Sequence, residues 1–173
     1  MLKILSIFKK KYKKNFISIQ PANLYGEGDN FNLKSSHVLP ALVKKFVIAK
    51  KKNFKSVEVW GSGKARREFL NVNDLANAIL FLLTKKIKDD YINIGSGEQV
   101  SIKQLALSIK KTVGYKGKVV FNKKYPDGVM RRQVNSQSIK KLGWRANIKL
   151  KQGLIEYCNY YIKKVMPLEN ENL

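Results

Sequence analysis

The sequence predicts an α/β fold that contains parallel strands. Short segments with a strand-like pattern alternate along the chain with longer segments of helical periodicity. These helices are long enough to cross over between parallel neighbours in a sheet. Hydrophobic residues make up 44% of the 173 residues and aromatic residues 10%. The chain can therefore build an ordinary core, and wholesale disorder is excluded.

The first predicted elements are a helix over residues 2–13 and a strand over residues 16–19. An apolar stripe at helical spacing predicts the helix: Leu2, Leu5, Phe8 and Tyr12. The strand is expected to stop at Pro21. Because parallel strands joined by crossover helices need neighbours on both sides, we expect this strand to begin a sheet whose earlier partners lie outside the sequence.

A long loop and a helix are predicted next. Residues 26–37 are rich in Gly, Asp, Asn and Ser, and they are more than a simple connection requires. The helix over residues 38–52 accommodates Pro40 in its first turn, where a missing N–H loses no partner. The elements that follow are two short strands joined by a tight turn: 57–60, 61–63 and 68–72.

The second half of the chain continues the alternation. A helix that ends near Lys86 is predicted to have Asn73 or Asp74 as its N-cap. Its segment 76–83 is apolar almost all round, so we expect deep burial. A capping box begins the next helix at Ser101, and Gly114 ends it. The remaining predicted elements are strands 91–94 and 118–121, helices 136–142 and 150–165, and a frayed tail, 169–173.

Composition excludes several classes of protein. Cys158 is the single cysteine and His37 the single histidine, so neither a disulfide framework nor a His-rich zinc site is expected, and no metal is predicted. The longest apolar runs are far too short to span a membrane. Residues 1–8 lack the pattern of a signal peptide. We expect a soluble protein of the reducing cytoplasm.

The strong positive charge has two interpretations. Lys and Arg number 35 against 12 Asp and Glu, which gives a formal charge of +23. Only five of the basic residues are arginine, whereas a dedicated nucleic-acid binder favours arginine for bidentate contacts. We favour a solvated lysine coat, and a basic nucleic-acid-binding module stays as the alternative.

Five phrases of the sequence are specific enough to indicate a family: Pro21-Ala-Asn-Leu-Tyr-Gly26, Ser36-His-Val-Leu-Pro-Ala41, Val59-Trp-Gly-Ser-Gly-Lys-Ala-Arg-Arg-Glu-Phe-Leu70, Asn93-Ile-Gly-Ser-Gly97 and Pro126-Asp-Gly128. In this order they resemble the GDP-L-fucose synthases of the extended short-chain dehydrogenase/reductase superfamily. The third phrase alone would indicate only the superfamily. The second and the last narrow the resemblance, which runs from about Phe8 to Tyr161.

The resemblance implies an NADP-dependent enzyme that epimerises GDP-4-keto-6-deoxy-D-mannose and reduces it to GDP-L-fucose. It also implies the end of a Rossmann-type parallel sheet and a smaller mixed α/β substrate-binding domain. Residues 1–25 would be a remnant of the dinucleotide-binding domain. Residues 26–168 would be mostly the substrate-binding domain, with about 68–95 returning to the Rossmann part.

Two motifs of the family are absent from the sequence. There is no Gly-rich turn for the dinucleotide pyrophosphate and no correctly placed Tyr-x-x-x-Lys pair. We therefore expect NADP(H) to be bound mostly by a missing N-terminal half, and this chain alone to be inactive. That half is either a separate gene product or sequence lost to a frameshift or a misplaced start codon. Complete family members are expected to be homodimers.

The resemblance assigns His37 to catalysis and to the cofactor end of the site. The matching histidine donates a proton during epimerisation, because the carbanion next to the ketone must be reprotonated from a chosen face. A surface or capping histidine is the alternative. Four residues match the segment that passes the nicotinamide end of NADP: Pro21, Ala22, Asn23 and Leu24.

Four residues match substrate contacts of the family. Arg67 would clamp the diphosphate through paired charged hydrogen bonds, and Trp60 would form an aromatic wall. Lys45 would supply a second basic contact, and Asp127 would accept hydrogen bonds from the ribose or base. The alternatives are a surface arginine, ordinary core filling, a solvated lysine face and a plain Pro-Asp-Gly turn.

The sequence departs from the family at four positions. Ala22 stands where Thr is usual, which removes one polar contact near the cofactor. Asn71 and Asn73 replace a usual His and Asp, and Asn135 replaces a usual Asp. Because these three are supporting positions, we expect them to affect stability more than chemistry.

Overall fold

The computed structural model describes residues 2–14 and 16–171. Its helices are α1 (Leu2–Tyr12), α2 (Val38–Lys51), α3 (Val72–Leu83), α4 (Ile102–Val113), α5 (Gln137–Lys141), α6 (Leu150–Tyr160) and α7 (Met166–Glu171), with the π-helical turn Tyr161–Val165 between the last two. Its strands are β1 (Ser18–Pro21), β2 (Asn23–Tyr25), β3 (Ser56–Trp60), β4 (Arg66–Asn71), β5 (Tyr91–Ile94), β6 (Gln99–Ser101), β7 (Lys118–Asn122) and β8 (Arg131–Arg132).

Three small sheets make up the β structure. Strand β1 pairs with β5, and β3 pairs with β7, both in parallel. Strand β4 is the centre of the third sheet, because it pairs in parallel with β2 and β8 and antiparallel with β6. The prediction of a mixed α/β fold with parallel strands is confirmed.

The buried apolar side chains form two hydrophobic cores. The larger core is built mainly from α2, α4, α6, β3 and the aromatic side chains after β2. The smaller core joins β1 and β5 to one side of α3 and to α5. Its members come from residues 17–24, 70–94 and 139–146, and the predicted division into domains stays a prediction.

Most predicted elements are present, with shifts at their ends. The Ser101 capping box is confirmed: Ser101 Oγ accepts from the Gln104 amide at 3.0 Å, and the Gln104 side chain accepts from the Ser101 amide at 2.8 Å. Pro21 is the last residue of β1 rather than the residue that stops it. The C-terminal helix continues to Glu171, and residues 172 and 173 of the predicted tail lie outside the described residues.

Helix α3 differs from its prediction in two ways. Its N-cap is Asn71, whose side chain accepts from the Asn73 amide at 2.9 Å, so neither Asn73 nor Asp74 caps the helix. It is also far from fully buried: Leu80 is 62% exposed and Leu83 76% exposed. The apolar residues on all sides indicated burial, but only one side of the helix packs on the β1–β5 sheet.

Within the part of the chain that the structure describes, no helix is long and apolar enough to cross a membrane. The same residues contain no cluster of His, Cys, Asp or Glu that could hold a metal ion.

Candidate functional site

A cavity of about 470 Å³ lies where β1 and β2 end. Its walls come from residues 21–29, from the residue that precedes α2, from Glu68 of β4 and Val72 of α3, and from residues 132–134 at the end of β8 and after it. All four residues that were matched to the cofactor segment line it: Pro21, Ala22, Asn23 and Leu24. The carboxyl ends of parallel strands are the usual place for a ligand in a sheet of this kind.

His37 lines the same cavity from the start of α2. It is the N-cap residue of that helix, with an extended backbone (φ −70°, ψ 169°), yet among the described residues its side chain makes no capping hydrogen bond. The side chain therefore does not cap the helix. His37 is exposed, so the alternative of a surface histidine stays open.

Arg132 is a cavity residue that the sequence reasoning missed. It lies on β8, a strand of two residues, opposite Arg67 of β4 in the parallel register. Its place shortly after Pro126-Asp-Gly128 in a run of two arginines was the available signal. Arg67 itself is not among the described cavity-lining residues. His37 and Arg132 therefore line the same cavity, and Arg67 lies opposite Arg132 on the neighbouring strand.

Glu68 forms the floor of the cavity and is only 1% exposed. One carboxylate oxygen accepts from the Gly97 amide at 2.7 Å, and the other accepts from the Val134 amide at 3.1 Å. Its backbone carbonyl accepts from the Asn23 side chain at 2.7 Å. This single residue therefore holds three segments of the site in place.

A second cluster contains the predicted substrate residues Trp60, Lys45 and Asp127. Trp60 ends β3 and is 56% exposed, so ordinary core filling does not explain it. The Lys45 ammonium lies 5.1 Å from the centre of the indole ring and donates to the Glu58 carbonyl at 3.2 Å. Burial lowers the pKa of Lys45, so this amine is not part of a freely solvated lysine face.

Asp127 connects this cluster to the glycine turn that follows β3. Its carboxylate accepts from the Ser62 amide at 2.7 Å and from the Ser62 hydroxyl at 2.6 Å. These two hydrogen bonds, the hydroxyl first, hold the pKa of the Asp127 carboxyl below its ordinary value. Gly61, at φ +82°, allows the approach, because a Cβ there would meet Asp127.

The turn that contains Asp127 also approaches Arg67, which together with Arg132 is called the arginine pair. A Cβ placed on Gly128 would lie 3.8 Å from a terminal guanidinium nitrogen of Arg67. The order through space is therefore cavity with His37, then Arg132 and Arg67, then the turn with Asp127, then Trp60 and Lys45. Two arginines at paired positions of neighbouring strands, between a cavity and an aromatic side chain, suit an elongated anionic ligand.

The supporting positions and the lone cysteine have structural roles. Asn71 caps α3, and the Asn135 side chain accepts from the Gln137 amide at 3.1 Å, so both asparagines still make local hydrogen bonds. Cys158 is 2% exposed and belongs to the larger core. Burial raises the pKa of its thiol to about 12, which keeps it in the unreactive protonated form.

The parallel pairs β1–β5 and β2–β4, with a cavity at the carboxyl ends of β1 and β2, are typical of the Rossmann-type class of α/β protein. Comparison with known sequences identifies the family within this class. The chain belongs to the NAD dependent epimerase/dehydratase family, whose sequence profile matches residues 1–95.

Individual relatives confirm the resemblance to GDP-L-fucose synthases. The chain is 41% identical over 165 residues to the probable GDP-L-fucose synthase 1 of Oryza sativa subsp. japonica, a match that covers 95% of this chain and 50% of the rice protein. It is 36% identical over 171 residues to the GDP-L-fucose synthase of Escherichia coli (strain K12), covering 94% of this chain and 53% of that protein. The chain thus spans about half the length of the relatives that it matches.

A solved structure agrees with this placement. A GDP-L-fucose synthetase from Naegleria fowleri bound to NADP matches with a TM-score of 0.84 and 27% identity, over 98% of this chain and 52% of that one. The likeness covers nearly the whole described fold and about half of the Naegleria fowleri chain.

Proposed function

We propose that this chain is the substrate-binding C-terminal part of an NADP-dependent GDP-L-fucose synthase. In the complete enzyme, GDP-4-keto-6-deoxy-D-mannose is epimerised at two carbons next to its ketone and then reduced to GDP-L-fucose. The observation that supports this best is the continuous order of His37, Arg132, Arg67, Asp127 and Trp60 through space. Such an order suits a sugar, a diphosphate and a base joined in one molecule.

His37 is the proton donor in this proposal. Removal of a proton next to the ketone leaves a carbanion, and its configuration is set by the face from which the proton returns. An imidazole on the cavity wall, with no side-chain capping bond, delivers that proton from one side only. The base that removes the proton is expected on the half of the enzyme that this chain does not contain.

The arginine pair and its neighbours hold the nucleotide. Arg67 and Arg132 neutralise the diphosphate, and their planar guanidinium groups can each donate two parallel hydrogen bonds. Trp60 and Lys45 lie at the outer end, beyond the turn that Asp127 fixes. Since both Asp127 oxygens already bind Ser62, we propose that Asp127 shapes the site in addition to any contact with the ribose.

The residues that are present fit one end of NADP(H). Pro21, Ala22 and Leu24 give an apolar wall on the cavity, which suits the flat nicotinamide ring. When bound, NADPH supplies the hydride that reduces the ketone. The sequence contains no Gly-rich turn for the pyrophosphate, so most of the cofactor contacts belong to a complementary half. The reductase activity of this chain alone is expected to be absent.

A complementary dinucleotide-binding half is therefore the proposed partner, and a homodimer is proposed for the complete enzyme. Among the described residues, β1 and β5 pair only with each other, so their outer edges are open to another strand. Apolar side chains of the adjoining helices are exposed, including Ile7 at 62% and Leu83 at 76%. Exposed apolar surface of this kind marks an interaction face. Whether the partner half comes from a neighbouring gene or from the same gene is tested by reading the DNA upstream of Met1.

Protection by GDP against thermal unfolding tests the nucleotide site. At a GDP concentration of 100 times Kd, binding would stabilise the fold by about 2.7 kcal/mol. For a chain of this size this raises Tm by roughly 5–10 °C. We expect Arg67→Ala to remove most of that protection.

The matched control is Arg66→Ala, which removes the same charge from the neighbouring position of β4. If the chain were instead a basic nucleic-acid-binding module, both variants would behave alike, and affinity for any polyanion would fall steeply with salt. Equal loss of GDP protection in the two variants would contradict the proposed role of Arg67. Consumption of NADPH by the purified chain with the keto-sugar would contradict its predicted inactivity.

A further inference from the structure

An exposed aromatic pair lies at the outer end of the site. Trp60 ends β3, and Tyr125 lies in the turn after β7. Their rings are stacked, with centres 4.4 Å apart and an interplanar angle of 13°. Trp60 is 56% exposed and Tyr125 41% exposed, so this stack is not part of either core. Two large rings left largely in solvent at one point of the surface are an uncommon use of aromatic side chains.

The stack lies one short turn away from the arginine pair. Tyr125 and Gly128 are the ends of a four-residue segment, and Gly128 approaches the Arg67 guanidinium. Four residues span at most about 11 Å between their first and last Cα atoms. In a nucleoside diphosphate the base and the phosphates are separated by a single ribose. The spacing between the rings and the guanidinium group therefore matches the build of such a ligand.

Of the two rings, that of Tyr125 is better placed to stack on a ligand. Tyr125 covers one face of the Trp60 indole, and the Lys45 ammonium also lies over that indole. Tyr125 itself is 41% exposed, so part of its ring surface is accessible to a ligand. The Asp127–Ser62 hydrogen bonds fix the turn that carries this tyrosine, so the ring is presented by a rigid segment.

We propose that Tyr125, supported from behind by Trp60, is the stacking residue for the purine base of the nucleoside diphosphate. This inference rests on the proposed function and adds to it a binding residue that the sequence did not indicate. A base stacks on an aromatic face through its whole ring surface. A purine covers more of the tyrosine than a pyrimidine does, so GDP binds more tightly than UDP. The phosphates are held separately by the arginines.

The test compares ligands with and without a base. GDP and inorganic pyrophosphate are titrated into the wild-type chain and into Tyr125→Ala and Tyr125→Phe, with Kd measured by calorimetry. Loss of base stacking by alanine substitution corresponds to about 5- to 150-fold in affinity. We expect Tyr125→Ala to raise the Kd of GDP within that range and to leave the Kd of pyrophosphate unchanged. Tyr125→Phe, which keeps the ring, should stay within about twofold of wild type.

Tryptophan fluorescence gives an independent measurement. The chain has two tryptophans, Trp60 and Trp144, and Trp144 is only 8% exposed. GDP should change the emission of the wild-type chain, pyrophosphate should not, and Trp60→Phe should remove the GDP-dependent change. A GDP affinity that is the same in Tyr125→Ala and wild type would overturn this inference alone. Equal weakening of GDP and pyrophosphate would overturn it as well, and a wild-type chain that binds neither ligand would overturn the proposed function with it.

Discussion

Replacing the Glu68 carboxylate by an amide tests how the floor of the cavity is held together. The two oxygens of Glu68 accept hydrogen bonds from two different backbone amides, those of Gly97 and Val134. In Glu68→Gln one oxygen becomes an NH₂ group, which cannot accept a hydrogen bond. The variant therefore keeps one of the two bonds and places a donor against the other amide.

The expected cost follows from these two contacts. A hydrogen bond to a charged group contributes about 1.5–3 kcal/mol, and leaving a buried donor without a partner costs a similar amount. Glu68→Gln should lower the free energy of unfolding by about 2–3 kcal/mol, since one bond is lost and the other is no longer charge-assisted. Glu68→Ala, which removes both acceptors, should cost more. For a chain of this length, 2–3 kcal/mol corresponds to roughly 4–12 °C in Tm.

Urea unfolding followed by circular dichroism measures the difference. The matched control is Glu98→Gln, because Glu98 pairs with Lys149 at 3.0 Å but both side chains are largely exposed, at 52% and 76%. An exposed ion pair is worth at most about 1 kcal/mol. If Glu68→Gln unfolds at the same urea concentration as Glu98→Gln, the two hydrogen bonds do not hold the cavity floor, and the reasoning fails.

Two further predictions concern burial and exposure. Burial raises the pKa of Tyr25 to about 12, whereas a tyrosine in the unfolded chain ionises near 10. The unfolded state therefore loses this proton first, so the free energy of unfolding should fall as the pH rises from about 10 to 12. Urea unfolding at several pH values measures this slope, and Tyr25→Phe should reduce it. Equal slopes in the variant and the wild type would contradict the burial argument. Leu83→Lys should reduce self-association in sedimentation and change the unfolding free energy by less than about 0.5 kcal/mol, while Leu107→Lys, on a different helix and 44% exposed, should not affect association. A monodisperse wild-type monomer would contradict the proposed interaction face.

Local signals in the sequence predicted the elements that depend on local chemistry. The Ser101 capping box and Gly114 place both ends of α4, because their hydrogen bonds lie within a few residues. The predicted burial of helix α3 was wrong because burial depends on the rest of the fold. Apolar residues on all its sides predict burial only if neighbours cover all sides, and in the described part of the chain Leu80 and Leu83 stay largely exposed.

Short strands were missed because they carry little pattern of their own. Strand β8 has two residues, Arg131 and Arg132, and it exists through pairing with β4, about 65 residues earlier in the chain. No alternation can be read from two charged residues. For the same reason Arg132 and Tyr125 were absent from the predicted site: both reach it through a turn whose position depends on tertiary contacts.

The predicted site residues lie in two neighbouring clusters, and under the proposed function the second cluster binds the nucleotide. Residues 21–29 and His37 border the cavity at the ends of β1 and β2, where a second half would complete the cofactor contacts. The arginine pair and the Trp60–Tyr125 stack lie on β3, β4, β7 and β8, or in the turns that follow them, and these strands pair with one another or with β2 and β6. Nucleotide binding should therefore survive in this chain without a partner, and proton and hydride transfer should not. GDP binding that appeared only after a dinucleotide-binding half was added would mean that the arginine pair is not formed in the isolated fold.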